Sequence, residues 1–560
     1  MSRFLLVSLN IDAILQETTI HRRRQRLNSM TDGLGLGDAY GATLDRIKGQ
    51  GGEKARLGMA TLMWVSHAER PLKPDELLSA LAIEIESPNL NSDNIPSIGT
   101  LLACCQGLVV IDKEASIVRL THFTLQEYLR AHPQLFGTAH STIAETCLSY
   151  LNSQQVKDLS ITLSPGLQSI RDLRSIPPFL EYSSVYWGTH AKRDLSDRAK
   201  LLARKLFDDY NNHVSTKILM KANGWYSSEF DSGKPTLFSG LHCASVFGID
   251  EIVAGLVEAK GCDINQEDGC GLTPLMWAAL RGHEGVVKIL LGRDYANPGK
   301  SGRHGETALH RAAARGHEGV VKILLGRDDV NPDKPDQYGE TPLHWGASDG
   351  HEGVVKLLLE RDGVNPDKPD KFGKTPLHCA ASDGHEGVVK ILLERDGVDP
   401  DKPDQYGWTP LHHAAFDGRE GLVKLLLERD GVNPDKPDDF EKTPLHYAAS
   451  NRHQGVVKLL LERDDVNPNS LQSRTPLSRA VLQGRAGVAA LLEPLAPTTP
   501  STTPAQEVTV PPIPFNNSYN RLHSTSTRAT PTPQTRPLRP LPPSSHFRIS
   551  SSRISKRRPR

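Results

Sequence analysis

Between residues 237 and 495 the apolar and polar positions repeat with a period of 34 residues. Thr-Pro-Leu stands at 273–275, 341–343, 375–377, 409–411 and 443–445, and Thr-Ala-Leu at 307–309. Ser239-Gly240-Leu241 is a weaker copy one period earlier, and Thr475-Pro476-Leu477 comes two residues early at the far end. In the unit that begins at Gly339, Thr341 suits a helix N-cap and Pro342 the first helical position, where a missing N–H costs nothing. Gly346 and Ala347 let a neighbouring helix approach, and Gly350 ends the first helix. Val354, Leu357 and Leu358 fall at helical spacing and predict a second, half-buried helix, on which Glu352 and Lys356 form an i,i+4 pair. Residues 362–370 hold Pro366 and Pro369 and predict a projecting loop. A fixed period of this length predicts a solenoid whose units cannot bury their apolar faces alone and fold as one stack. The end units, Leu241 to Ser245 and Leu477 to Val481, read as caps.

Upstream the pattern is irregular. It predicts helices over 55–68, 74–82 and 95–105, then an alternating hairpin of 107–112 and 116–121 around Lys113, Glu114 and Ala115, then a helix over 125–130. Three helices and a hairpin make a winged-helix arrangement. Its third helix carries no Lys or Arg, so it lacks the phosphate contacts of a DNA reader. Further helical stretches at 143–151 and 201–207 predict an adaptor over 137–236, with 153–178 as a looser insert. Residues 496–560 are rich in Pro, Ser and Thr and predict a disordered tail. Its basic end, Ser555 to Arg560, resembles a nuclear-import motif or is a merely solvated tail.

Composition narrows the function classes. Lys+Arg and Asp+Glu balance at 66 each, so no global charge points to nucleic acid or membrane. The seven cysteines include no CxxC pair, which favours reduced thiols over a disulfide framework or zinc finger. The apolar start at Phe4 to Leu9 is broken by Asn10 and Asp12 and reads as a core segment, not a signal peptide. No run approaches the ~20 apolar residues that span a bilayer.

The Thr-Pro-Leu-His-x-Ala-Ala and Gly-His-x-x-Val-Val-x-Leu-Leu-Leu patterns resemble the ankyrin repeat over eight units. That resemblance implies paired antiparallel helices, loops projecting from one edge, and protein binding on the concave face through loop tips and first helices. Two histidine series, His310, His344, His378, His412 and His446, and His283, His317, His351 and His385, invite a metal reading. Equivalent residues in stacked helical layers lie about 10 Å apart, too far for shared ligation. Hydrogen bonds that tie the turn and its neighbour are the expectation. Positions that vary between units are the candidate partner contacts: Trp277, Arg311, Trp345, His413 and Tyr447 after the first-helix histidine position, with Trp408 before the threonine. The aromatic ladder Tyr338, Phe372, Tyr406 and Phe440 is either a binding stripe or packing between loops. Asp349, Asp383 and Asp417 give the middle of the array an acidic stripe that leans away from nucleic acid.

Residues 61–72, 101–109 and 118–129 resemble the winged helix of fungal signalling NTPases of the STAND class, which carry a NACHT module upstream and ankyrin repeats downstream. Residues 5–42 resemble the helical end of the NACHT module. The Gly-x-x-x-x-Gly-Lys-Ser/Thr phosphate loop has no counterpart here. Ser232 to Thr236 is the nearest stretch, and Pro235 occupies its Ser/Thr position. The family's nucleotide-facing histidine corresponds to His122, whose expected role here is packing behind the hairpin.

The expected fold is mainly α: about eight ankyrin repeats at 237–495, a helical remnant at 1–50, a winged helix at 51–136, a helical adaptor at 137–236 and a disordered tail at 496–560. The expected function is a non-catalytic, cytoplasmic or nuclear scaffold in signalling. It binds a protein partner without cofactor, metal or membrane, and full-length NACHT–ankyrin relatives are among its expected partners. The alternative is the C-terminal part of a nucleotide-driven STAND NTPase whose P-loop module lies upstream of Met1.

Overall fold

A computed structural model describes residues 18–31, 36–85, 87, 91–162, 177–223, 237–469 and 475–495. The start of the remnant, most of the insert, the Ser232–Thr236 stretch and the tail lie outside the described residues.

Helices α1 (Ile20–Thr31) and α2 (Leu36–Gly49) lead into α3 (Gly52–His67), α4 (Pro74–Leu81) and α5 (Ile98–Cys104). Strands β1 (Val109–Asp112) and β2 (Ile117–Leu120) pair antiparallel, with Val109 opposite Leu120 and Asp112 opposite Ile117. The turn between them closes through Ser116 at φ 53°. Helix α5 starts later than the apolar pattern predicts because Ser97 caps it, accepting from the Thr100 amide at 3.0 Å. Leu72, after α3, bridges to Val118 and widens the sheet. α6 (Phe123–Ala131) follows. Leu62, Leu77, Leu101, Leu108, Val118 and Leu125 form the core of this winged helix. Tyr40, Leu44 and Ile47 of α2 are buried in the same core, and α2 packs on α3. A boundary at residue 51 therefore cuts through a packed unit.

Among the described residues the adaptor has five α-helices: α7 (Ala139–Leu151), α8 (Gln154–Thr162), α9 (Leu180–Arg193), α10 (Asp197–Phe207) and α11 (Val214–Ala222). Helix α9 packs along α7 and then against the first helix of the array. Aromatic rings join both ends. Trp64 of the winged helix meets Phe179 at 5.6 Å between centroids and Tyr182 at 6.0 Å. Trp187 meets Phe247 of the first repeat at 5.2 Å. Gly188 is required at that joint, because a side chain there would collide with the Phe247 ring. The expectation that the first repeat is a cap is thus corrected. The adaptor covers it, and Leu241, Cys243 and Ala244 are buried.

Eight helix pairs follow, from Gly240–Phe247 with Asp250–Val257 to Pro476–Leu482 with Ala486–Leu492. Like helices of neighbouring repeats pack on each other. In the pair Pro342–Ser348 and Glu352–Leu359, the second helix buries Val354, Val355, Leu358 and Leu359. Leu357 is only half-buried, because the apolar stripe is centred one residue away from the expected face. Among the described residues no ion pair joins Glu352 to Lys356. The Glu352 carboxylate instead lies over Gly387 of the next repeat, where any side chain would collide with it.

Hydrogen bonds at three levels stitch the stack. Each first-helix histidine completes a capping box: His344 Nδ1 meets the Thr341 amide at 3.1 Å and its hydroxyl at 2.9 Å. Its Nε2 then donates to the Lys374 carbonyl of the next repeat at 3.2 Å. His310, His378 and His412 do the same toward Glu340, Trp408 and Lys442. The second histidine series reaches backward: His317, His351 and His385 meet the carbonyls of Leu280, Ala314 and Ser348. At the loops, Lys368, Lys402 and Lys436 each bond the backbone carbonyl and carboxylate of an aspartate 35 residues earlier. The histidines are therefore structural joints.

Burial holds His310 and His378 down at about 3, and His344 and His412 at about 4, against the ordinary 6.5. The unfolded chain then binds more protons than the folded one below pH 6.5, so this contribution is complete above 6.5 and is lost as pH falls toward 4. The denaturant midpoint should drop steadily from about pH 7 to about pH 4.5. A flat profile would show that these imidazoles accept protons without breaking their bonds.

In the middle repeats the residue two before the threonine is left-handed: Gly339, Gly373 and Gly407 at φ 88°, 80° and 78°. Glu441 takes the same place at φ 61° and carries the strain of a side chain there. Glu441→Gly should therefore stabilise the array by about 1 kcal/mol, read as a rise in the thermal midpoint; no rise would place the strain elsewhere.

Candidate protein-binding surface

The loops of five repeats carry an aspartate whose carboxylate is buried: Asp268, Asp336, Asp370, Asp404 and Asp438. Asp336 Oδ1 accepts from the amides of Tyr338 and Glu340, and Asp370, Asp404 and Asp438 cap their loops in the same way. The residue nine positions later approaches the second oxygen. Trp277 Nε1 donates to Asp268 at 2.8 Å, His413 Nε2 lies 3.2 Å from Asp404, and the Tyr447 hydroxyl donates to Asp438 at 2.5 Å. Trp408 Nε1 also donates to Asp438, at 3.0 Å. In the third repeat Gly302 replaces the aspartate, and Arg311 pairs instead with buried Glu306 at 2.6 Å.

This geometry revises the candidate set. Trp277, His413 and Tyr447 are buried and spend their polar atoms inside the repeat. Their variation reflects different ways of serving one buried carboxylate. Arg311 and Trp345 are half-buried, with the guanidinium 5.6 Å from the indole centroid across the repeat boundary. Trp408 is half-buried in a cluster with Tyr447 at 4.5 Å and Phe416 at 5.4 Å. The side chains that do face outward are the loop aromatics and the turn acids. Tyr338, Tyr406 and Phe440 are 37%, 39% and 48% exposed, while Phe372 is half-buried. Their backbones form a continuous ladder: the carbonyls of Tyr338, Phe372 and Tyr406 accept from Lys371, Gln405 and Asp439 at 2.8, 2.8 and 3.1 Å. The rings therefore stand at fixed intervals along one edge. Asp383 and Asp417 are exposed and Asp349 is half-buried at the turns between helices. The Ser348 hydroxyl donates to Asp383 at 2.6 Å and fixes its direction.

One carboxylate in this region is out of balance. Glu340 is buried beside Asp336 and Asp370, and burial with those two negative neighbours pushes it up to about 8.

In the winged helix, His122 caps α6. Its Nδ1 accepts from the Thr124 amide at 3.3 Å and meets that residue's hydroxyl at 2.7 Å, which also meets the Tyr40 hydroxyl at 2.7 Å. Capping, rather than packing behind the hairpin, is its role. The outward face of α5 consists of Gly99, Thr100 and Ala103, without a cation.

The family model "Ankyrin repeats (3 copies)" matches at 241–336, 296–370, 343–438 and 421–499. The array is thus a run of ankyrin repeats. A second family model, "GPI inositol-deacylase, winged helix domain", matches residues 45–139, so the unit before the adaptor is a winged helix of that type. Among curated proteins, Ankyrin repeat and SAM domain-containing protein 3 of Homo sapiens is 41% identical over 51 residues, which is 9% of this chain and 8% of that protein. The chain thus spans less than a tenth of that relative's length. No helix among the described residues is long and apolar enough to cross a membrane.

The Glu340 environment gives a test of the buried carboxylates. A raised carboxyl binds a proton in the folded state that the unfolded chain has released, so its contribution falls as pH rises from 4.5 through about 8. Glu340→Gln removes the charge and keeps the shape. It should raise the thermal midpoint at pH 8.5 by more than at pH 5; an equal effect at both would show that Glu340 is solvated.

Proposed function

We propose that this chain is a non-catalytic interaction protein whose ankyrin array binds a protein partner across the face framed by the loop aromatics at one end of the first helices and the turn acids at the other. The observation that supports this most is the regular exposure of Tyr338, Tyr406 and Phe440 on a backbone ladder, with exposed Asp383 and Asp417 at the far ends of the first helices. Rigid aromatics supply contact area at low entropic cost, and a stripe of one charge sign selects the partner and speeds encounter. The partner segment is therefore basic and carries apolar side chains. The unbroken packing from array through α9 to the winged helix gives binding a route to the other end of the chain. That suits a signalling scaffold in the cytoplasm or nucleus that competes with or regulates longer relatives.

A second reading rests on the winged-helix match at 45–139. In it the chain is the sensing part of a STAND-type NTPase. Transcript sequence upstream of Met1 separates the two: an in-frame Gly-rich phosphate loop favours the NTPase.

For the binding surface, partners captured from cell extract by residues 237–495 are identified and their affinity measured. Asp349→Lys, Asp383→Lys and Asp417→Lys together should weaken the interaction at least tenfold and reduce its salt dependence. Tyr338→Ala with Tyr406→Ala should weaken it independently. Unchanged affinity in both variants would reject this face as the binding surface.

A further inference from the structure

The junction between winged helix and adaptor gathers ligand-type side chains that neither the array nor the hairpin uses. Glu69 follows α3, His140 lies in the first turn of α7, and His190 in the last turn of α9. They are distant in sequence, yet one ligand atom from each lies within 4.8 Å of the others. His140 Nδ1 and His190 Nδ1 face each other at 2.8 Å, a separation that requires one shared proton. His190 is fully buried, and its other nitrogen, Nε2, meets the Tyr182 hydroxyl at 2.9 Å. That hydroxyl also accepts from the Glu69 amide at 3.1 Å. His67 closes one side, edge-on to His140 at 5.4 Å. The Glu69 side chain is 18% exposed and pairs with Arg193, whose side chain is 48% exposed.

We propose that Glu69, His140 and His190 form a binding site for a single zinc-class divalent ion that clasps the winged helix to the adaptor. Two imidazoles and one carboxylate are a donor set that suits Zn²⁺, with a water completing four-coordination at the open side. Tyr182 stands where an outer partner of a metal-ligating histidine belongs: with Nε2–H donating to it, His190 presents the Nδ1 lone pair inward. The ion takes the place of the shared proton. Tetrahedral Zn–N bonds set two nitrogens about 3.3 Å apart, so the rings separate by about half an ångström. Glu69 turns from Arg193 to the ion, and the half-exposed guanidinium moves into water. Arg193 is thus the competitor for the carboxylate, a relation that a purely structural hydrogen-bond network does not share.

The test uses the whole untagged chain, stripped of metal and titrated with Zn²⁺ against a chelating indicator. Co²⁺ serves as the spectroscopic probe of nitrogen and oxygen ligation. One tight ion per chain is expected, with a rise in thermal midpoint on Zn²⁺ addition. Glu69→Gln and His140→Asn should each weaken binding at least tenfold, and Tyr182→Phe by about 10–100-fold. Arg193→Ala, which leaves every ligand in place, should tighten it. Metal-free melting of each variant confirms folding. Absence of a tight ion at micromolar Zn²⁺ overturns the proposal. So does an ion that survives Glu69→Gln and His140→Asn, or an Arg193→Ala chain that binds no better than the natural one.

Discussion

In most of the array a neutral imidazole with both nitrogens occupied holds one repeat to the next. In His344 one nitrogen closes the cap of its own helix while the other reaches the Lys374 carbonyl of the following unit. The bond spans the only boundary at which a repeat could separate from its neighbour. It also requires that the ring be uncharged, because a proton on Nδ1 would meet the Thr341 amide donor head-on. Burial secures that state by disfavouring the cation. Stacking of apolar helices drives the array together, but these directed bonds set its register, and with it the spacing of everything on the outer edge.

Register explains how the edge can be both regular and variable. The loop ladder and the Lys–Asp contacts are built from backbone atoms and from residues common to the middle repeats, so they recur unchanged. The exposed ring beside them is free to be Tyr or Phe. On the inner side, variation has a different cause. Trp277, His413 and Tyr447 differ in size and polarity, yet each offers one donor group to an aspartate nine residues before it.

This distinction marks how far the sequence could be read. The period, the helix pairs, the winged helix and the histidine joints were legible because each follows from local spacing and capping chemistry. The burial of Trp277, His413 and Tyr447 was not, since variable positions look alike whether they face a partner or a buried carboxylate. Only the folded loop shows where Asp268, Asp404 and Asp438 point. The cover over the first repeat was hidden for a similar reason: Gly188 meeting Phe247 is a contact between distant segments. The Glu69, His140 and His190 cluster left no trace in any motif, because its members come from three separate elements.

The bonds between repeats reach about one unit and no further: 30 residues forward for the first histidine, 37 backward for the second, 35 for the loop lysine. No repeat is tied to the one beyond its neighbour by these contacts. A whole 34-residue unit copied into the middle of the array would therefore find the same partners on both sides. Growth or shrinkage of the gene by unequal exchange between near-identical units would alter the length of the edge without creating a single new kind of joint.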